Sequence, residues 1–81
     1  MGAINKIFEI TILVTVTSNK VYIISGDEYG KLLDNNDNII KQSTFISAGG
    51  KRYNNYIEMT KGDILTLLFD GTYWHKKVHS S

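Results

Sequence analysis

Two histidines, His75 and His79, are the residues of this sequence whose chemistry best suits a general base. A hydroxyl nucleophile needs such a base within hydrogen-bond reach, and no spacing in the sequence ties either imidazole to a serine. Four carboxylates have the residue types of a catalytic acid pair, but they stand in turn-forming segments, where acidic side chains normally face water: Asp27, Glu28, Asp63 and Asp70. We therefore predict that the chain is not an enzyme.

The segment Asp34-Asn-Asn-Asp-Asn38 places oxygen ligands at the first, third and fifth positions of a calcium-type loop. That loop requires a glycine at its sixth position and a bidentate acid at its twelfth, where this sequence has Ile39 and Phe45. The lack of cysteine excludes disulfides and thiolate metal sites. We expect a solvated turn at residues 34–38, and neither a metal nor another cofactor.

The segment from Gly49 to Tyr56 combines two glycines, a basic pair and two tyrosines. It does not match a phosphate-binding loop, because the first glycine of that motif is missing and Arg52 replaces its hydroxyl residue. Tyrosine joins an apolar ring to a polar tip, which suits sugar rings and protein interfaces alike. The competing interpretation places Arg52 and Tyr56 at a subunit interface. The predicted ligand-binding residues are Lys51, Arg52, Tyr53 and Tyr56.

The 81 residues, of 9.2 kDa, suffice for one hydrophobic core. We assign residues 1–81 to a single β domain with flexible ends at 1–6 and 79–81. A net charge of +1 predicts no steering toward nucleic acid, and no apolar stretch is long enough to suggest a membrane span. A domain this small without disulfides or metals commonly relies on partner subunits, which favours an oligomer.

Alternating apolar residues and β-branched types predict an all-β fold, a small antiparallel sandwich or barrel of six to seven short strands. Asp70-Gly71 marks a hairpin turn, with Trp74 anchored in apolar packing behind it. Apolar residues on both faces of the strands imply cover on both faces. Residues 48–55 are expected to form a long flexible connection. The predicted strands are 7–17, 21–25, 31–33, 39–47, 56–60, 64–69 and 72–78.

Residues 62–74 read Gly-Asp-Ile-Leu-Thr-Leu-Leu-Phe-Asp-Gly-Thr-Tyr-Trp. This segment resembles the C-terminal β-domains of bacteriophage tailspike and tail-fibre proteins, which close with a Gly-Asp strand, an Asp-Gly-Thr turn and a Trp-bearing strand. The likeness extends over residues 20 to 78, and 62–74 is its specific part. The chain lacks the repeats of a β-helical shaft and any lyase or hydrolase site, so it is similar to an isolated end domain or to a small stand-alone relative of such proteins.

The resemblance implies a non-enzymatic trimerisation domain of a virion tail, made in the host cytoplasm. Its partners would be two further copies of itself, in a homotrimer, and a host-surface polysaccharide or protein receptor. Nucleic acid and membrane are not among the expected partners. The basic pair of the 49–56 segment favours an acidic polysaccharide as the receptor.

A second resemblance leads to an alternative function. Thr60-Lys-Gly-Asp-Ile-Leu65, followed by a tryptophan, is similar to the middle of SH3 domains, which bind proline-rich peptides in aromatic grooves. This reading would make Tyr73 and Trp74 the ligand-binding residues. It ranks second because the tryptophan is single rather than paired and because the closing strand with its proline is missing.

Overall fold

The computed structural model describes residues 8–15, 19–26 and 30–80, and of Phe8 only the backbone. These residues form strands and turns and no helix, which confirms the all-β class. The candidate carboxylates Asp27 and Glu28 and the predicted flexible residues 1–6 and 81 lie outside the described part. The eight strands are β1 (Phe8–Leu13), β2 (Val21–Ile23), β3 (Leu32–Leu33), β4 (Phe45–Ile46), β5 (Arg52–Tyr53), β6 (Ile57–Met59), β7 (Ile64–Phe69) and β8 (Trp74–Ser80).

The strands form one four-stranded sheet, in the order β1-β7-β8-β3, and two two-stranded sheets, β2-β6 and β4-β5. The predicted hairpin is confirmed, since β7 and β8 are antiparallel neighbours with Phe69 opposite Trp74. Its loop spans the four residues 70–73, and only Gly71 among them has a positive φ, of 98°. β8 runs to Ser80 and so includes two of the residues assigned to a flexible end.

Strand β3 pairs with β8 in parallel, which departs from the expected antiparallel arrangement. The chain can enter this pairing because residue 30 is a glycine. A Cβ atom at Gly30 would lie 1.5 Å from the carbonyl oxygen of Thr72, closer than any real contact allows. From this position the carbonyl of Lys31 accepts a 3.0 Å hydrogen bond from the backbone N–H of Trp74. The close approach therefore sets β3 beside the hairpin.

The core lies between the four-stranded sheet and the β2-β6 pair. Trp74 is half-buried against it, with its ring centroid 4.7 Å from that of Phe69, as predicted for an anchoring residue. Each two-residue step along a strand returns to the same face, and the inward positions of β6 and β7 are almost fully buried. The buried core residues are Val14, Leu32, Ile40, Ile57, Met59, Leu65 and Leu67.

The predicted strand 39–47 is broken, because the backbone between Ile39 and Phe45 bonds to two separate segments rather than along one partner strand. The N–H of Ile40 donates to the Leu32 carbonyl at 3.0 Å, and the N–H of Gln42 donates to the Asn54 carbonyl at 2.8 Å. Only β4 and an isolated bridge between Leu33 and Ile39 remain of that strand. Alternating side chains alone did not reveal where these backbone groups would find partners.

Residues 48–55, expected to be a flexible connection, contain β5 and form a hairpin with β4. Phe45 stands opposite Tyr53 and Ile46 opposite Arg52. The turn is closed by a 2.9 Å hydrogen bond from the N–H of Ser47 to the Lys51 carbonyl. The glycines supply the turn of a tight hairpin, in which Gly50 has a φ of +82°.

One side chain joins the small sheets to the large one. The Asn55 Oδ1 accepts a 2.9 Å hydrogen bond from the N–H of Leu32. Its Nδ2 donates to the Leu32 carbonyl at 3.0 Å and to the Ile40 carbonyl at 2.7 Å. Asn55 thus pairs with β3 as a strand residue would, although its own backbone belongs to the connection between β5 and β6.

The outward face of the four-stranded sheet carries exposed apolar side chains. Leu13 and Ile64 stand directly opposite each other and are 55% and 39% exposed. Val78, opposite Thr66, is 50% exposed. The inward face thus has the cover predicted from the two-sided pattern, and the outward face is open to solvent in the single chain.

We expect Asn55→Ala to lower the free energy of unfolding by about 1 to 3 kcal/mol, because it leaves three partly buried backbone groups without their side-chain partner. Urea denaturation followed by tryptophan fluorescence measures this change. The neighbouring Asn54→Ala, at an exposed position, is the matched control and should change stability by less than about 0.5 kcal/mol. Equal effects of the two substitutions would contradict the assignment of Asn55 as the connecting side chain.

Candidate functional site

Three aromatic rings from three strands form a stack, which we call the aromatic stack: Tyr22, Phe45 and Tyr53. The Tyr22 and Phe45 centroids are 4.4 Å apart and those of Phe45 and Tyr53 are 5.4 Å apart. Tyr56 meets Tyr22 and Phe45 edge-on, at 5.2 and 4.7 Å. It is buried, and its hydroxyl donates to the Ser43 carbonyl at 2.7 Å. Of the two tyrosines predicted to bind ligand, Tyr56 therefore supports the stack from within.

Beside Tyr53 lies a cavity of about 170 Å³, which we call the cationic pocket. Residues 51–55 form one wall, Lys31 a second, and Ser25 with Gly26 a third. Three of the predicted site residues, Lys51, Arg52 and Tyr53, are thus brought together. The predicted fourth, Tyr56, is not among the lining residues.

The cationic pocket concentrates positive charge in a chain whose net charge is only +1. In the described part of the chain, no carboxylate lies within ion-pair distance of Lys31 or Arg52. The Lys51 ammonium lies 6.0 Å from the centroid of the Tyr53 ring, at the outer limit of a cation–π contact. A guanidinium, ammonium groups and the side-chain amide of Asn54 together suit an anionic ligand rich in hydrogen-bonding groups.

Two further cavities adjoin the cationic pocket. The Thr44 pocket, of about 230 Å³, shares Arg52, Tyr53 and Asn54 with it and adds Thr44. The cavity we call the apolar pocket, also of about 230 Å³, shares Ser25 and Gly26 with the cationic pocket. Its other lining residues are Ile23, Ile24, Leu32, Leu67 and Trp74.

The two residues of the alternative pair, Tyr73 and Trp74, differ in their relation to the apolar pocket. Trp74 lines the apolar pocket. Tyr73 belongs to the loop before β8, is exposed, and is not among the residues lining that pocket. Of the alternative pair, the apolar pocket thus contains Trp74 and not Tyr73.

His75 is buried between two carboxylates rather than beside a nucleophile. Its Nε2 lies 2.5 Å from the Asp70 Oδ2, and its Nδ1 lies 3.3 Å from the Asp37 Oδ1. The Asp70 Oδ1 accepts hydrogen bonds from the N–H groups of Tyr73 and Thr72 at 2.6 and 2.7 Å. These bonds, first that from Tyr73 and then that with His75, lower the pKa of Asp70 to about 2. Asp70 and His75 thus close the β7–β8 turn.

The second histidine has a similar partner. His79 Nε2 lies 3.2 Å from the Asp63 Oδ2, which also accepts the Thr60 N–H at 3.1 Å. The Thr60 backbone bond and the His79 bond lower the pKa of Asp63. No group of three or more histidine and acidic side chains in the described residues is placed to hold a metal ion.

The predicted turn at 34–38 is confirmed. The Asp34 Oδ1 accepts from the N–H groups of Asn36 and Asn38 at 2.8 and 3.0 Å, and Asp37 takes a left-handed φ of 63°. The Asp34 carboxylate therefore stabilises the loop backbone, as Asx turns do.

Sequence reasoning missed Lys31, Asn54 and Asn55 as pocket residues, and it missed the apolar pocket. Lys31 lies twenty positions before Lys51, and no local pattern links the two. The only signal was indirect: a lysine at the start of a brief predicted strand. Its position depends on the parallel β3–β8 pairing and on the Asn55 side chain, which periodicity does not predict.

Comparison with protein-family models, with curated proteins and with solved structures finds no match to this chain. The described residues also include no helix with the length and apolar character needed to cross a membrane.

The lowered pKa of Asp70 predicts that the free energy of unfolding decreases in acid. Asp70 contributes stability that is fully present above the ordinary carboxyl pKa of about 4 and is lost as the pH falls toward about 2. Asp70→Asn keeps an acceptor oxygen for the turn but removes the charge beside His75. The urea midpoint of this variant should therefore fall less between pH 5 and pH 2 than that of the unmodified protein. Parallel curves for the two proteins would refute the role of the Asp70 charge.

Proposed function

We propose that this chain is a non-enzymatic binding domain that recognises an acidic saccharide of a host surface through the cationic pocket. The observation that carries the proposal is the convergence of Lys31 and Arg52, from separate strands or their flanks, on a cavity walled by Tyr53. A carboxylate or sulfate of the ligand would pair with these two cations through charge-assisted hydrogen bonds.

The ring of Tyr53 supports this ligand class. It stacks on Phe45, which is itself packed on Tyr22 and Tyr56, so the ring is fixed before a ligand arrives. A preorganised aromatic wall with nearby donors suits the apolar face and the hydroxyls of a sugar ring. The side-chain amide of Asn54 adds donors and an acceptor for those hydroxyls.

The shape of the site favours a polymer over a single sugar. The cationic pocket continues into the Thr44 pocket through Arg52, Tyr53 and Asn54. Each cavity alone is smaller than the about 300 to 1,000 Å³ of typical ligand sites. Adjacent small polar cavities along one hairpin fit successive units of a chain, which is the form of a surface polysaccharide.

We further propose that the domain is the homotrimeric end domain of a viral tail fibre or tailspike, carried on the virion tail. The resemblance of residues 62–74 supports this assignment. That segment supplies β7, its hairpin loop and the first residue of β8. The exposed outward face around Leu13, Ile64 and Val78 offers an apolar surface that further copies of the chain would cover.

For ligand recognition, we expect Arg52→Gln and Lys31→Gln each to weaken binding of an acidic polysaccharide about tenfold or more, because each removes a charge-assisted hydrogen bond. Surface plasmon resonance on immobilised polygalacturonate, with dextran as the neutral comparison, measures the change. Lys61→Gln removes the same charge from an exposed turn outside the pocket and should bind as the unmodified chain does. Equal losses in all three variants would indicate non-specific attraction and refute the pocket assignment.

For assembly, light scattering at micromolar concentration should give three times the chain mass of 9.2 kDa. Leu13→Lys places a charge on the outward face and should shift the protein toward monomer. Ile46→Lys makes the same change at a position that is similarly exposed, 60% against 55%, but lies on β4, and should leave the trimer intact. A stable monomer of the unmodified chain would end the assembly proposal.

A further inference from the structure

The proposed saccharide site, which is polar and positively charged, lies next to a cavity lined mainly by apolar side chains. The cationic pocket and the apolar pocket meet at Ser25 and Gly26, which line both. On one side of this boundary stand Lys31 and Arg52, and on the other stand Ile24 and Trp74. The two cavities therefore border the same two residues.

We infer, on the basis of the proposed function, that the bound saccharide unit is acetylated and that its acetyl methyl group enters the apolar pocket. The acid group of the ligand pairs with Lys31 and Arg52 in the cationic pocket. The acetyl group extends past Ser25 and Gly26 toward Ile24 and Trp74. The ligand class is thus an acidic polysaccharide with acetyl substituents on the acidic unit or its neighbour.

The lining of the apolar pocket limits what it can hold. Its volume is about 230 Å³, and it is partly open to solvent. A second sugar ring with its hydroxyls would place polar groups against five apolar side chains. Burying such hydroxyls without hydrogen-bond partners is unfavourable, which selects an apolar substituent.

The boundary between the pockets suits the polar part of an acetyl group. Ser25 carries a hydroxyl, and it and Gly26 each carry a backbone N–H and a carbonyl. An acetyl group has one carbonyl oxygen beside its methyl, so its polar end matches this wall and its apolar end matches the cavity beyond. A simple alkyl chain would match the cavity but not the wall.

An acidic peptide with an apolar side chain presents a related combination of charge and apolar surface. The Thr44 pocket argues for the saccharide, because the groove continues as a polar surface of Thr44, Arg52 and Asn54. A polyhydroxylated chain presents hydroxyls to this polar surface at every unit, whereas a peptide with alternating apolar side chains would also place apolar groups against it. An acidic peptide with apolar side chains is therefore included in the test as the alternative ligand.

The test compares O-acetylated polygalacturonate with the same polymer after saponification, so that backbone and carboxylate spacing stay constant. Isothermal titration calorimetry should show about fourfold tighter binding of the acetylated polymer, the factor expected for burying one methyl-sized group. Equal binding of the two polymers would overturn the acetyl inference and leave the proposed function standing. Binding of neither polymer would overturn the proposed function itself. Tighter binding of an alternating Glu-Leu peptide would overturn both in favour of a peptide ligand.

A matched pair of variants locates the acetyl group. Ile24→Gln places a polar amide in the apolar pocket and should bring the affinity for the acetylated polymer down to that for the saponified one. Ile46→Gln makes the same change at an exposed isoleucine that does not line the pocket, so the fourfold preference should persist. Circular dichroism checks that both variants fold. A preference that survives Ile24→Gln in the folded protein would refute the apolar pocket as the acetyl site.

Discussion

The side chain of Asn55 is the connection on which the rest of the structure depends. Its amide pairs with both backbone polar groups of Leu32 and with the Ile40 carbonyl. One asparagine thereby ties the last strand of the four-stranded sheet to the connection between β5 and β6. Lys31 precedes Leu32 directly, so the same bonds place its side chain opposite residues 51–55. The cationic pocket is a consequence of this tie, since two of its walls belong to different sheets.

Three of the acidic residues have a shared role in turns. Asp34, Asp63 and Asp70 each accept backbone N–H bonds in turns, and two of them also bond a histidine. In a chain without proline, such side-chain bonds are the main means of fixing turns. These three carboxylates are therefore committed to turns, and none of them lines the cationic pocket.

The parts of the fold that depend on local pattern could be predicted from the sequence, and the parts that depend on distant partners could not. Alternation located β1 and β7, and Asp70-Gly71 located the hairpin with Trp74 behind it. The parallel β3–β8 pairing was missed because it requires the absence of a side chain at Gly30. The break in the 39–47 strand was missed because its backbone bonds to Leu32, Asn54 and Asn55. Within the site, the contiguous residues Lys51 to Tyr53 were predicted, whereas Lys31 was not.

The composite origin of the site also determines how binding and folding are coupled. Its walls come from residues 25–26, Lys31 and 51–55, which lie on or beside strands of all three sheets. These three segments are separated in sequence, so they come together only in the folded chain. A saccharide that contacts all three walls therefore binds the folded state and not the unfolded one, and so it raises the free energy of unfolding as its concentration exceeds its Kd. Such a ligand would act as one more connection between the sheets, beside the hydrophobic core and Asn55.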